Sequence, residues 1–405
     1  MNVPKLRFKE FTGEWEEKRL GEVVSSFDYG MNAASCTFDG LNKYIRITDI
    51  DDVTHKYLDN DVVSPNGELC DKYIVNKNDI LFARTGASTG KTYLFSEEDG
   101  LMYFAGFLIR ANVKTEYDAN FIYSQTLSNR YKKWVGIESM RSGQPGINAE
   151  QYSKFTVNVP VYEEQKKISS VLGLVDDKIS NCYKIITSLE KQKKGLMQKI
   201  FSRELRFKDD NGKEFPDWED SLLGRICVFR RGSFPQPYGL KQWYDEANGN
   251  PFVQVVDVGE NMLLKSSTKN KISKMAEPYS IFVPKGTLVI TLQGSIGRIA
   301  KTQYDAFVDR TLLIITDYNV AIDVDYFKYE LKNIFDCEKK KAPGGTIKTI
   351  TKEALSTFGV RIPCIDEQRK IAKFVQCMEE KIKVENQVLE HWQQIKQGLL
   401  QQMFV

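Results

Sequence analysis

The chain has 405 residues, of which 41% are hydrophobic and 27% charged, with a net charge of +3. This composition excludes a disordered chain, and no apolar run approaches the ~20 residues that span a bilayer. Acidic and basic residues balance in residues 1–202 and the small excess lies in 203–405, which excludes a histone-like charge and confines any nucleic-acid contact to local basic faces.

Residues 1–160 carry short β-rich runs such as "NDILFART", separated by Gly, Asp and Asn turns, which predicts a domain of mixed character. Its opening, "MNVPKLRFKE", has no apolar core of a secretory leader. The stretch "RTGASTGKT" (84–92) imitates a phosphate-binding loop, but only Ala87, Ser88 and Thr89 separate Gly86 from Gly90. The nucleotide-binding pattern requires four residues there. A turn between two strands, offering small residues and a cation to a ligand, is the expectation instead. Base edges are read by Arg, Lys, Asn, Gln, Ser and Thr, and phosphates by cations and backbone N–H groups. The DNA-binding candidates are therefore Arg46, Arg84, Thr85, Ser88 and Lys91, with Arg141, Ser142, Gln144 and Asn148 from "MRSGQPGIN" (140–148).

Pro160 marks a boundary, and residues 161–202 follow as a predicted long helix. Steps of four and three place Ile168, Leu172, Val175, Ile179, Cys182, Ile186, Leu189, Leu196 and Ile200 on one seam, broken only at Lys193. More than four heptads of this kind indicate a coiled coil.

The second half repeats the first. "EEQKKISSVLGLVDDKI" (163–179) aligns with "DEQRKIAKFVQCMEEKI" (366–382), and "KKGLMQKIF" (193–201) with "KQGLLQQMF" (396–404), both at an offset of 203. Residues 203–363 form the second mixed domain. In it "TLQGSIGRI" stands opposite "RTGASTGKT", with Arg298 for Lys91 and Ile299 for Thr92. Its DNA-binding candidates are Arg230, Arg231, Gln254, Thr291, Gln293, Ser295 and Arg298, with Thr346, Lys348 and Thr349 in "APGGTIKTI" (342–350). Residues 364–405 form the second long helix, with the seam Ile371, Val375, Met378, Ile382, Leu389, Trp392 and Leu399, in which Glu385 also stands and Lys396 repeats the break at Lys193. The two seams match position by position, so the helices are expected to pair antiparallel with a domain at each end. At ~1.5 Å per residue, the 32 steps from Ile168 to Ile200 make a spacer of about 48 Å, or about 14 base pairs of B-DNA. The fold class is α+β: two homologous mixed domains joined by two long helices in an antiparallel coiled coil.

Catalytic material is scarce. The seven cysteines include no C-x-x-C pair, and His55 and His391 are the two histidines, so neither a metal site, a disulfide framework nor a His-based catalytic system is expected. Reduced thiols fit a cytoplasmic location.

The phrase P-x-x-x-E-Q-x-K-I, at 160–168 and again at 363–371, together with the opening "PKLRFKEFTGEWEEKRLGEV", resembles the specificity subunit of type I restriction–modification enzymes over essentially the whole chain. The resemblance implies that each mixed domain is a target-recognition domain reading one half of a bipartite, asymmetric site in double-stranded DNA. It implies that the helices set the spacing and dock two modification (methyltransferase) subunits, and that two restriction subunits (ATP-dependent translocases and nucleases) complete the complex. Adenine methylation and DNA cleavage then belong to the partners, and this chain needs no cofactor and catalyses nothing. A coiled-coil scaffold joining two protein-binding domains is the competing expectation.

Overall fold

The computed structural model describes residues 3–140, 145–292, 296–341 and 351–404, and the chain divides into two compact units. The first comprises Met1–Ile185 with Glu385–Val405, and the second Ile186–Val384. Each long helix is therefore shared between the units, and each unit contains a stretch of both.

The two units share one plan. In the first, four antiparallel strands run in the order Val24–Tyr29, Leu108–Val113, Asp79–Ala83, Thr92–Leu94. In the second, the order is Cys227–Arg231, Leu312–Tyr318, Leu288–Thr291, Ile299–Lys301. The strands "DILFA" and "LVIT" are wholly buried because both faces are covered. Alternate side chains serve different cores: Ile80 and Phe82 pack toward the helices, while Leu81 and Ala83 join Tyr93 and Leu108 on the other face. Leu288 and Ile290 are likewise separated from Val289. A two-stranded ribbon closes each unit, Glu16–Arg19 against Thr156–Val159 and Glu219–Leu222 against Gly359–Ile362.

The long helices run Tyr162–Phe201 and Ile365–Gln402. The described seam residues are buried or half-buried, none exposed. The pairing is antiparallel within each unit. Lys396 Nζ meets Asp176 Oδ1 at 2.6 Å and Gln393 Nε2 donates to the Tyr183 hydroxyl at 3.0 Å in the first unit, and Lys193 Nζ meets Glu379 Oε1 at 3.2 Å in the second. The lysine in each seam is thus a cation matched to an acid on the facing helix. Such polar pairs at seam positions favour one register over its alternatives.

Each helix end completes a core. Leu399, Leu400, Met403 and Phe404 pack on the first unit's Trp15 and Phe121, with Phe404 5.3 Å from Phe121 between ring centroids. Met197, Ile200 and Phe201 pack in the second unit, with Phe201 6.2 Å from Tyr326. Burying each such side chain stabilises by about 1.5–3 kcal/mol, which explains why "GLMQKIF" and "GLLQQMF" repeat.

The Glu-Gln dipeptide of the repeated phrase has an internal role. Glu164 and Glu367 stand in the first turns of the two long helices. Both are fully buried, and each accepts two hydrogen bonds from an arginine, Arg7 or Arg206. Gln165 accepts from the Asp118 amide and donates to the Pro160 carbonyl, and Gln368 does the same with Asp323 and Pro363. The phrase is a latch that holds the helix start to its own unit. Among the described residues, no helix is long and apolar enough to cross a membrane.

Candidate DNA interface

The loop that imitates a phosphate cradle connects strand Asp79–Ala83 to strand Thr92–Leu94, not a strand to a helix. Four of its amides are already used: Gly86 N donates to Pro145 O, Thr89 N to Gly86 O, Gly90 N to Ala83 O and Lys91 N to Ser88 O, at 2.9–3.1 Å. Thr92, at the magnesium-binding position of a true cradle, is buried with its hydroxyl 2.9 Å from that of Thr126. Gly90 and Gly297 are conserved between the copies for packing. Both have positive φ, +88° and +75°, and a Cβ on them would lie 2.5 Å from Val135 or 2.7 Å from Phe335. Gly90→Ala is therefore expected to destabilise the first unit by about 2–4 kcal/mol in thermal unfolding, from backbone strain and overpacking together. Gly86→Ala meets open space at a similar φ, so it loses about 1 kcal/mol from the backbone alone. Equal losses would show that contact with Val135 does not select Gly90.

Lys91 turns inward, which corrects the expectation that it is offered to a ligand, whereas Arg298 stays half-exposed in a pair with an exposed acid. Lys91 Nζ donates to the Ile50 carbonyl at 2.9 Å and pairs with Asp52, leaving its side chain 9% exposed. Arg298 pairs with Glu260 at 2.8 Å, and its amide donates to the Thr291 hydroxyl at 3.0 Å. Thr291 is wholly buried and cannot reach a base from there.

Three other candidates are also engaged within their units. The Arg46 side chain forms two bonds to Asp49 and two to Asp61, and the two carboxylates raise its pKa further above the usual range. Gln254, at the corresponding turn, donates to the Tyr238 hydroxyl and accepts from Asn270. Asn148 caps the helix Ala149–Ser153 by accepting from the Gln151 amide, which spends its side chain on a capping box. Arg141, Ser142, Gln144, Gln293, Ser295, Thr346, Lys348 and Thr349 lie outside the described residues.

What remains converges at one end of each four-stranded sheet. In the first unit, Thr85 bridges to Gly146, and the Arg84 carbonyl accepts from Ile147 at 2.9 Å, joining the two loops singled out in the sequence. The Arg84 guanidinium lies 4.9 Å over the ring of Tyr29. Arg84 N donates to the carbonyl of Phe107, whose side chain is 64% exposed. Ser88 sits half-exposed on the same loop. The second unit places Arg231 where the first has Tyr29. Each precedes a glycine, Gly30 or Gly232, that packs against a backbone carbonyl too closely for a Cβ. Arg230 and Arg231 are exposed, and Arg310 lies 5.7 Å over Tyr238. Tyr29, Phe107, Tyr238 and Arg310 escaped the sequence reading. The available signal was that "YG" and "RG", and "AGFL" and "DRTL", occupy matching positions with different chemistry.

The pattern described as "Type I restriction modification DNA specificity domain" matches residues 12–191 and 216–393. The chain belongs to that family. Two curated relatives from Methanocaldococcus jannaschii are similar over nearly their full lengths. The putative type I restriction enzyme MjaX specificity subunit is 23% identical, covering 98% of this chain and 95% of its own, and the MjaVIII specificity subunit is 23% identical, covering 97% and 94%. The S subunit of a type I restriction–modification system from M. genitalium shares the fold with a TM-score of 0.59 at 17% identity, covering 100% of this chain and 99% of that one. A chain from a structural study of type I complex assembly and conformational transition gives 0.60 at 18% identity, covering 95% and 96%. This specificity subunit has two recognition domains, and the two matched regions correspond to its two homologous halves.

Proposed function

We propose that each unit reads one half of a bipartite, asymmetric DNA site, and that the helix pair sets the separation of the halves and docks two modification subunits. Adenine methylation is carried out by those subunits, and ATP-dependent cleavage by two restriction subunits that join them in the cytoplasm. This chain contributes recognition and no catalytic group. One observation carries the reading: the two sheet ends share a backbone plan but expose different groups, Tyr29, Arg84 and Phe107 in one and Arg230, Arg231 and Arg310 in the other. A shared scaffold with divergent tips suits two different half-sites. The exposed Leu174, Ile185 and Val388 on the long helices supply apolar surface for docking.

Arg84→Ala is expected to weaken recognition of one half-site by about 1–3 kcal/mol, the worth of a good arginine–base contact. The measurement is the position of methylated adenines in DNA treated with the reconstituted complex, and the expected result is lost or relaxed methylation. Full-rate methylation at the unaltered sequence removes this sheet end from the recognition surface.

A further inference from the structure

A half-open cleft of about 500 Å³ lies within the first unit, between the turn around residues 51–58 and the paired stretches of the long helices. Its floor is apolar, built from Tyr57, Leu127, Ile179 and Leu400. Around it stand four lysines. Lys396 is matched by Asp176, whereas Lys56, Lys132 and Lys184 make no ion pair among the described residues. The turn that walls the cleft also holds the recognition loop. Ile50 and Asp52 receive Lys91, and His55 Nδ1 donates to the Thr92 carbonyl at 2.8 Å. His55 has φ +57°, a conformation rarely adopted by residues other than glycine. Burial keeps its imidazole below the ordinary histidine range, and Lys396, Lys132 and Lys91 add to the effect. His55 and Lys132 also line a hollow of about 260 Å³ behind residues 87–91.

The second unit lacks these features at the matching positions. Its left-handed turn residue is Met262, with φ +59° and its side chain in the core. The counterpart of Lys132, three residues before the side chain that packs on the loop glycine, is Lys332, and it is neutralised by Asp336.

Lys56, Lys132 and Lys184 are exposed and outnumber the one further acid of the lining, Asp51, so the occupant that complements the cleft brings carboxylates for the excess lysines and an apolar group for the floor. A DNA backbone brings charge without the apolar group. The apolar surface continues outward at Ile185, exposed beside Lys184 on the helix proposed to dock the modification subunit. We infer that the cleft receives an acidic segment with an apolar tip from the docked modification subunit, and that this segment steadies the turn holding residues 84–91. Subunit docking is thereby coupled to DNA reading in one unit only. The inference rests on the docking role proposed above.

The test uses the complete assembly of this chain, its modification subunit and DNA. Benzoylphenylalanine in place of Lys184 is expected to photo-crosslink to a stretch of the modification subunit rich in Asp and Glu. The double variant Lys132→Glu, Lys184→Glu is expected to keep the subunit ratio seen in gel filtration and to lose about tenfold in methylation rate, a typical strength for coupling between sites. Crosslinks to DNA alone, or full-rate methylation by the double variant, overturn the inference. If the unaltered chain does not co-purify with a modification subunit, the docking role itself falls and the inference with it.

Discussion

Glu367→Ala is expected to lower the stability of the second unit by about 3–5 kcal/mol, the cost of stripping one partner from a buried ion pair. Glu367 is fully buried and receives Arg206 through both Nε and an Nη, at 3.3 and 2.8 Å, as well as the indole N–H of Trp218 at 3.0 Å. Removing the carboxylate leaves a guanidinium and an indole N–H without that acceptor, in a region too enclosed for water to replace it fully. The ion pair need not itself be a large net gain, because placing both charges there costs desolvation. The variant Glu367→Leu with Arg206→Met is therefore expected to recover much of the loss. Urea unfolding followed by tryptophan fluorescence reads the difference. Glu164→Ala should act similarly on the first unit through Arg7. An unchanged midpoint for Glu367→Ala would show that the repeated Glu-Gln phrase is held for something other than this latch.

The latch also shows where the sequence stops speaking. The duplication and both seams are legible because they are spacings: an offset of 203 and steps of four and three need no third dimension. The lysine breaks at Lys193 and Lys396 are visible as a repeat, but their partners Glu379 and Asp176 emerge only from the antiparallel register. Nothing local reveals that Phe404 fills the core beneath Trp15, because the two are brought together by the fold of the whole chain. The candidate site was legible at the level of loops more than residues. The loops around 84–91 and 145–148 do meet. Within them, polar side chains were credited to DNA that the backbone claims first. Asn148 caps a helix, Thr291 receives an amide, and Lys91 bonds a carbonyl. Turns recruit short polar residues and cations for their own unsatisfied groups, so residue type alone does not separate a tether from a reader. The aromatics Tyr29 and Phe107 were missed for the converse reason. Exposure of a large ring at a sheet end is decided by tertiary packing, and composition assigns such rings to the core.

Val375→Asp is expected to have the second large effect, on stability and assembly together. Val375 is fully buried in the second unit's core, between Ile371 and the half-buried Met378 on the helix seam. An aspartate there loses the valine's packing and buries a carboxylate without a designed partner. The valine's burial is worth about 1.5–3 kcal/mol, and the polar group adds several more unless it finds water or takes up a proton. The lysines of the seam are answered from the facing helix, Lys193 by Glu379 and Lys396 by Asp176. Leu172→Asp tests the same rule in the first unit, where Leu172 is 2% exposed. Cys377→Asp, two residues along the helix at an exposed position, changes the charge outside the seam and is expected to stay within about 0.5 kcal/mol of the parent. Thermal unfolding and gel filtration with the modification subunit measure both consequences. The expected pattern is a lower unfolding temperature and a lost complex for Val375→Asp and Leu172→Asp, and normal behaviour for Cys377→Asp. A Val375→Asp chain that assembles at the normal subunit ratio would mean that the paired seam is not what holds the proposed docking surface in shape.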